Sequence, residues 1–219
     1  LTPTTSHLRL VHACNPEAPA APGIDQAELL RRLQRGERAA AALLFDLHSP
    51  GIERILLRTL GSDQELDDLL HEVFVRALQS IQRLRDPEAL EGWLRRLAVC
   101  AAMDLLRSRS RRRWLRLLPL ESLPEPPAPE LDDETREAVR ITYRVLDRLP
   151  VDERVAFSLR VLDGMPLAEV AAACDCSLAT VKRRIARAQA AFEQAASTHP
   201  ALATRSIAQR TKLGSEDEP

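Results

Sequence analysis

The sequence predicts an all-α protein made of two helical domains, and three observations carry that expectation. Apolar residues make up 45% of the 219-residue chain but aromatics only 3%, so the cores must be built from Leu, Val, Ile and Ala, of which Leu and Ala are strong helix formers. Glycine numbers only 7, and no run alternates β-branched and polar residues as a half-buried strand would. A stretch at 117–134 holds five prolines, no glycine and no basic residue, and it divides the helical pattern in two.

Residues 1–23 are polar, with Pro at 3, 16, 19 and 22, and are expected to lack fixed structure. From 24 to 116 the pattern is that of one helical domain. Ile24, Leu29, Leu30 and Leu33 predict a short amphipathic helix that stops near Gly36. A second helix over about 37–60 carries Ala40, Leu43, Leu44, Leu47, Ile52, Ile55, Leu56 and Leu60, with Pro50-Gly51 expected to kink or break it. The third follows Gly61-Ser62 with Leu66, Leu69, Leu70, Val73, Phe74, Ala77, Leu78, Ile81 and Leu84 as its apolar stripe. Its start is crowded with Asp63, Glu65, Asp67 and Asp68. Carboxylates suit the positive end of a helix dipole, and they equally suit an exposed acidic face for a basic partner.

The fourth helix, about 87–113, opens with Asp86 as N-cap and Pro87 at the first helical position. Leu90, Leu94, Leu97, Ala98, Ala101 and Leu105 mark its buried face. It runs out into Arg107, Arg109, Arg111, Arg112, Arg113 and Arg116, with Trp93 and Trp114 near its two ends. A greasy face that passes into an arginine cluster suggests a helix docked on a bundle and presented to a polyanion.

The stretch 117–134 reads as an extended acidic linker, and 135–197 as a second helical domain. Helices are expected at 135–149, 152–162 (inward face Val155, Leu159, Leu162), 166–174 and 177–195, and the tail 198–219 is expected to be loose. Two short helices joined by Asp175-Cys176, the second one basic, form the helix-turn-helix pattern. In the last helix Leu178, Val181, Ile185 and Ala188 should pack inward. The outward arc then holds Ala179, Arg183, Ala186 and Arg187, flanked by Thr180 and Lys182. Ser177 is placed to cap that helix, which aims free N–H groups at phosphate, and Arg suits bidentate contact with guanine in the major groove.

A net charge of −1 conceals separated signs: arginines gather at 107–116 and 182–187, acids at 63–72 and 121–134. That is the balance of a protein with nucleic acid on one surface and protein contacts on another. No apolar run reaches the ~18 residues of a membrane span, and no secretory-signal pattern is present, so no membrane insertion is expected. Four cysteines in this length do not form a disulfide framework, and a reduced cytoplasmic protein is the expectation. Cys174-Asp175-Cys176 lacks the spacing and second pair of a zinc site, and no metal or cofactor is expected. His71-Glu72 lacks the second histidine of H-E-x-x-H, and no phosphate loop or nucleophile elbow occurs. The chain is not expected to be an enzyme.

The run Leu66-Asp67-Asp68-Leu69-Leu70-His71-Glu72-Val73-Phe74-Val75-Arg76-Ala77, followed by Trp93-Leu94-Arg95-Arg96-Leu97-Ala98, resembles region 2 of bacterial RNA polymerase sigma factors. Asp163-Gly164-Met165-Pro166-Leu167-Ala168-Glu169-Val170-Ala171 and then Ser177-Leu178-Ala179-Thr180-Val181-Lys182-Arg183-Arg184-Ile185 resemble their region 4. Both in this order, over about 25–195, are similar to the extracytoplasmic-function (ECF) class. The resemblance implies that Asp67, Asp68, His71 and Glu72 dock on core RNA polymerase, with His71 standing where relatives commonly have Gln. It implies that the helix 87–113 faces the −10 promoter element, helps open the duplex and holds a flipped base. There Arg95, Arg96, Arg107, Arg109 and Arg111 would hold strand phosphates, and Trp93 would either stack or pack. Cys100 stands where relatives often carry Asn at the flipped base, and a thiol cannot make an amide's paired hydrogen bonds. Pro166 stands where relatives often have a capping Ser. Ser177, Thr180, Lys182, Arg183, Ala186 and Arg187 would read the −35 element, and an anti-sigma factor is an implied partner. Two rivals remain at the level of sequence: a helix-turn-helix regulator that binds duplex DNA without polymerase, and a sigma-like protein-interaction module.

Overall fold

The computed structural model describes residues 25–61, 64–116 and 133–196. The segments 1–23 and 198–219, and all but the last two residues of 117–134, lie outside the described residues. Eight α-helices and no strand occur among the described residues. In the first unit, α1 (Gln26–Gln34) starts where Asp25 accepts from the Ala27 N–H at 2.9 Å. It buries Leu29, Leu30 and Leu33.

Helix α2 (Arg38–Leu60) runs on through Pro50, so of the kink or break expected at Pro50-Gly51 a break does not occur. A proline inside a helix costs about 3 kcal/mol. Here Leu44, Ile52, Ile55, Leu56 and Leu60, buried on either side of it where α2 meets α3 and α4, offset that cost. Helix α3 (Leu66–Ser80) buries the expected stripe from Leu66 to Ala77, followed by Ile81 in a short 3-10 turn. Leu78, expected to be inward, is 39% exposed. It stands at the edge of the stripe.

Asp86 caps a 3-10 turn, Pro87–Ala89, by accepting from the Glu88 N–H at 3.0 Å. The α-helix proper, α4, spans Leu90–Arg116. It buries Val99, Ala102 and Leu106 besides the expected Leu90, Leu94, Ala98 and Ala101. The added burial has a simple cause. α4 packs on α2 and α3 on one side, and on α6 and α7 of the second unit on the other.

The second unit is described from Asp133 onward. It comprises α5 (Asp133–Leu146), α6 (Val151–Phe157), α7 (Leu167–Ala173) and α8 (Leu178–Ala196). A π-turn over Ser158–Leu162 extends α6, with the Asp163 N–H donating to Ser158 O at 2.9 Å. Phe157 stacks on Phe192 of α8 at 4.5 Å between ring centroids. Apolar residues of both units join in one continuous core, Leu94 and Val99 with Val155, Leu159, Val170 and Val181.

Candidate nucleic-acid interface

Helix α8 presents the surface that the sequence predicted. The turn before it is made by Asp175 in the left-handed region (φ 52), which Asp tolerates better than most side chains. Ser177 Oγ then accepts from the Thr180 N–H at 3.2 Å and lies 2.9 Å from Thr180 Oγ1. Val181, Ile185 and Ala188 are buried, while Ala179, Lys182, Arg183, Ala186 and Arg187 are exposed and Thr180 is half-buried. Lys182 and Arg183 make no ion pair among the described residues, whereas Arg187 lies 3.5 Å from Glu153. Leu178 departs from expectation at 45% exposed. It occupies the first turn, at the edge of the inward arc.

On α3, Asp67, Asp68, His71 and Glu72 are all exposed, on the side away from Leu66, Leu69, Leu70 and Val73. His71 Nδ1–H donates to the Asp67 carbonyl at 2.7 Å, and the ring stacks on Phe45. Glu72 pairs with Arg76 at 2.6 Å. Val75, 52% exposed, and Leu78 add apolar surface beside these polar groups. Val75 lies outside the apolar stripe, and a lone apolar residue there carries no periodic signal.

The arginines expected to face a DNA strand are held by carboxylates in this arrangement. Arg95 pairs with Glu91 and with Glu169 of α7. Arg96 lies 2.9 Å from Asp175, Arg107 is 3.0 Å from Asp152, and Arg109 is 2.6 Å from Glu65. Arg111 is exposed, as is Cys100, and Trp93 is half-buried and packed against the core. Three of these four arginines therefore meet acids of the second unit. Glu169, Asp175 and Asp152 were invisible as partners because acids far away in sequence give no periodic signal.

The junction of the units is closed by buried polar contacts. Arg154, 5% exposed, donates to Thr59 O at 2.9 Å and Leu60 O at 3.0 Å, and it pairs with Asp147. Burial pushes its pKa down and the Asp147 carboxylate opposes that. Tyr143 donates to Leu57 O at 3.1 Å, and burial raises its pKa. Its ring covers Gly61, where an added Cβ would lie 3.0 Å from Cδ1. Exposed ion pairs such as Arg96–Asp175 contribute roughly 0–1 kcal/mol each, so the core and Arg154 hold the units together. Among the described residues no group of three His, Cys, Asp or Glu side chains is placed to hold a metal ion, and no helix is long and apolar enough to cross a membrane.

A two-unit helical protein with a capped basic helix after a tight turn is the architecture of a nucleic-acid-binding protein. Comparison with known proteins gives the family. The family model for Sigma-70 region 2 matches residues 44–112, and that for Sigma-70, region 4 matches residues 140–191. The ECF RNA polymerase sigma-E factor of Haemophilus influenzae is 31% identical over 178 residues, covering 77% of this chain and 93% of the relative. The ECF RNA polymerase sigma-E factor of Escherichia coli K12 is 30% identical over 177 residues, covering 75% of this chain and 91% of the relative. The chain belongs to the ECF family of RNA polymerase sigma factors. Its fold is shared with CnrH, solved in complex with the cytosolic domain of CnrY (TM-score 0.53, 22% identity, 76% of this chain and 94% of that one). It is shared too with the sigma factor RpoE of Bartonella quintana, solved with the anti-sigma factor NepR (TM-score 0.54, 21% identity, 69% of this chain and 92% of that one).

Proposed function

We propose that this chain directs core RNA polymerase to promoters with −10 and −35 elements and helps to open them, acting by binding alone and not as an enzyme. The observation that supports this most is the exposed arc of α8. Its N-terminus is capped by Ser177, and Lys182, Arg183, Ala186 and Arg187 face outward on a helix whose other side is packed. A helix of this kind enters the major groove and reads the −35 element. The exposed face of α3, with Asp67, Asp68, His71, Glu72, Val75 and Leu78, is the surface for core polymerase. Mixed acidic and apolar groups on one rigid helix suit a basic, partly apolar protein partner.

Helix α4 faces the −10 strand. There Arg95, Arg96, Arg107, Arg109 and Arg111 hold phosphates, and Cys100 lies at the flipped base. Unstacking a base costs a few kcal/mol, which contacts to the displaced strand must offset. Besides Glu91 on α4 itself, the acids on Arg95, Arg96 and Arg107 belong to α6, α7 and the α7–α8 turn, so the units separate before α4 engages DNA. Exposed ion pairs of this strength yield readily to a polyanion, and the core shared by Leu94, Val99 and Val155 must part as well, so binding to core polymerase and promoter has to supply that energy. The sixteen residues between α4 and α5 can span up to about 55 Å, enough for two readers on separate promoter elements. Partners of the kind named for the solved relatives, anti-sigma proteins, fit a chain that must be held closed until needed.

The test is transcription by purified core polymerase across a promoter library, with and without this chain. The reading expects a defined set of promoters to be transcribed only when both are present. Promoter binding by the chain alone, with no stimulation of core, would replace it with the reading as a conventional helix-turn-helix regulator.

A further inference from the structure

Among the described residues, Leu178 is the one large apolar side chain of the second unit that stands exposed, at 45%. Val75 and Leu78, the others of this kind, lie together on α3. Single exposed leucines are ordinary on protein surfaces and need no use. The place of this one on α8 gives it a use. It is the first residue of α8, directly after the Ser177 cap, and the first residues of a recognition helix are those that reach base edges. Helical side chains lean toward the N-terminus of their own helix, so Leu178 leans out past the start of α8 rather than back along it. It also heads an exposed row at four-residue spacing, Leu178, Lys182 and Ala186, beside a second exposed row, Ala179, Arg183 and Arg187. Lys182, Arg183 and Arg187 supply the positive charge that a phosphate backbone draws. The alanines project too little to hold the helix away from a groove floor. Leu178 adds what the cations lack, a branched apolar end with no hydrogen bond to make.

We propose that Leu178 packs on a thymine C5-methyl in the major groove and gives this chain a preference for thymine at one position of its −35 element. That methyl is the apolar group a base pair presents in the major groove, and apolar side chains are its natural contact. Cytosine carries a hydrogen at the same carbon, so a side chain that packs on the methyl separates the two pyrimidines. Arginine and lysine, which read guanine O6 and N7, make no such distinction. The inference rests on the proposed function and adds to it a residue that reads sequence through apolar contact alone. Removing one methyl from water is worth about fourfold in affinity, enough to set a preference at a single position and too little to replace the phosphate contacts.

The test starts from the −35 duplex of a promoter selected from a library by this chain together with core polymerase. Each thymine of the element, on either strand, is replaced in turn by deoxyuridine, which lacks only the C5-methyl. The affinity of the full-length chain for each duplex is then measured. At one position the replacement should weaken the wild-type chain about fourfold. Leu178→Ala should bind the thymine and deoxyuridine duplexes equally at that position. Leu178→Asn, which keeps nearly the same reach with a polar end, should do the same, and Leu178→Met should keep the preference. Indifference of the wild-type chain to every deoxyuridine, or the same penalty in Leu178→Ala and Leu178→Asn as in wild type, would overturn the proposal. Loss of core binding by Leu178→Ala in a pull-down would place a protein on this side chain and overturn it equally. If no duplex element is selected at all, the proposed function falls and this inference with it. An element selected and bound without regard to thymine methyls removes this inference alone.

Discussion

Arg154 donates to the Leu60 carbonyl at 3.0 Å, so a side chain of the second helical unit closes the end of α2 in the first. The last carbonyls of a helix have no partner within it and carry the negative end of its dipole. A buried guanidinium with a fork of donors satisfies two of them, Thr59 O and Leu60 O, while Asp147 balances its charge. Arg154→Met removes the donors to those carbonyls and takes the buried guanidinium away from the Asp147 carboxylate. The expected loss is about 3–5 kcal/mol in chemical denaturation, with a larger radius of gyration in solution scattering. Arg154→Lys should recover only part, because an ammonium lacks the planar fork.

Gly61 is the second fixed point of the same junction. Its φ of 86 and ψ of −167 lie in a region nearly restricted to glycine, and the Tyr143 ring occupies the space a side chain would need. Gly61→Ala should cost about 1–3 kcal/mol, measured as a shift in the denaturation midpoint. Tyr143→Leu in the same background should relieve the steric part and leave the backbone part.

Arg183 is exposed in the outward arc of α8. Arg183→Ala should weaken −35 recognition by about 1–3 kcal/mol, the size of one bidentate base contact. Binding to duplexes that carry the promoter element measures this, and a pull-down with core polymerase should show no change. Loss of core binding would contradict the assignment.

Asp68 belongs to the other surface. Charge reversal, Asp68→Lys, should weaken core binding and leave affinity for free −35 DNA unaltered. Competition against the wild-type chain for limiting core measures it, and equal competition would dispose of the α3 surface. Leu78→Asp, on the same face, should act in the same direction.

His48 gives the chain a pH dependence of definite sign. Burial lowers its pKa below the ordinary value near 6.5, with Glu91 opposing and Arg95 assisting. The unfolded chain therefore binds the proton more readily than the folded one, and stability present above about pH 6.5 is lost as pH falls through the lower folded value. Thermal melting should show Tm declining between pH 7 and pH 5, and His48→Gln should flatten that slope. Glu28 and Glu37, whose pKa values are lowered by neighbouring arginines, act below the usual carboxylate range and leave this window clear.

Most of the helical pattern was legible in sequence because apolar spacing reports directly on which face is buried. Leu66, Leu69, Leu70, Val73 and Phe74 illustrate this on α3, and Val181, Ile185 and Ala188 on α8. The cap at Ser177 was legible for the same local reason. Pro50 does not break α2, because its local cost is outweighed by burial along α2 that involves distant residues. Leu178 and Leu78 misled because period alone does not say where a neighbouring helix ends. The pairing of Arg95, Arg96 and Arg107 with Glu169, Asp175 and Asp152 could not be read at all. It depends on how α4 meets α6 and α7, and charges distant in sequence carry no register. Cys100 was legible only as a departure from its relatives.

The most direct measurement of the central claim is permanganate footprinting of a cognate promoter. Thymines in the −10 region should become reactive only when this chain and core polymerase are both present, and reactivity should fall with Arg183→Ala and with Asp68→Lys. Thymines that stay protected with both partners present, on a promoter that the chain nevertheless binds, would contradict it.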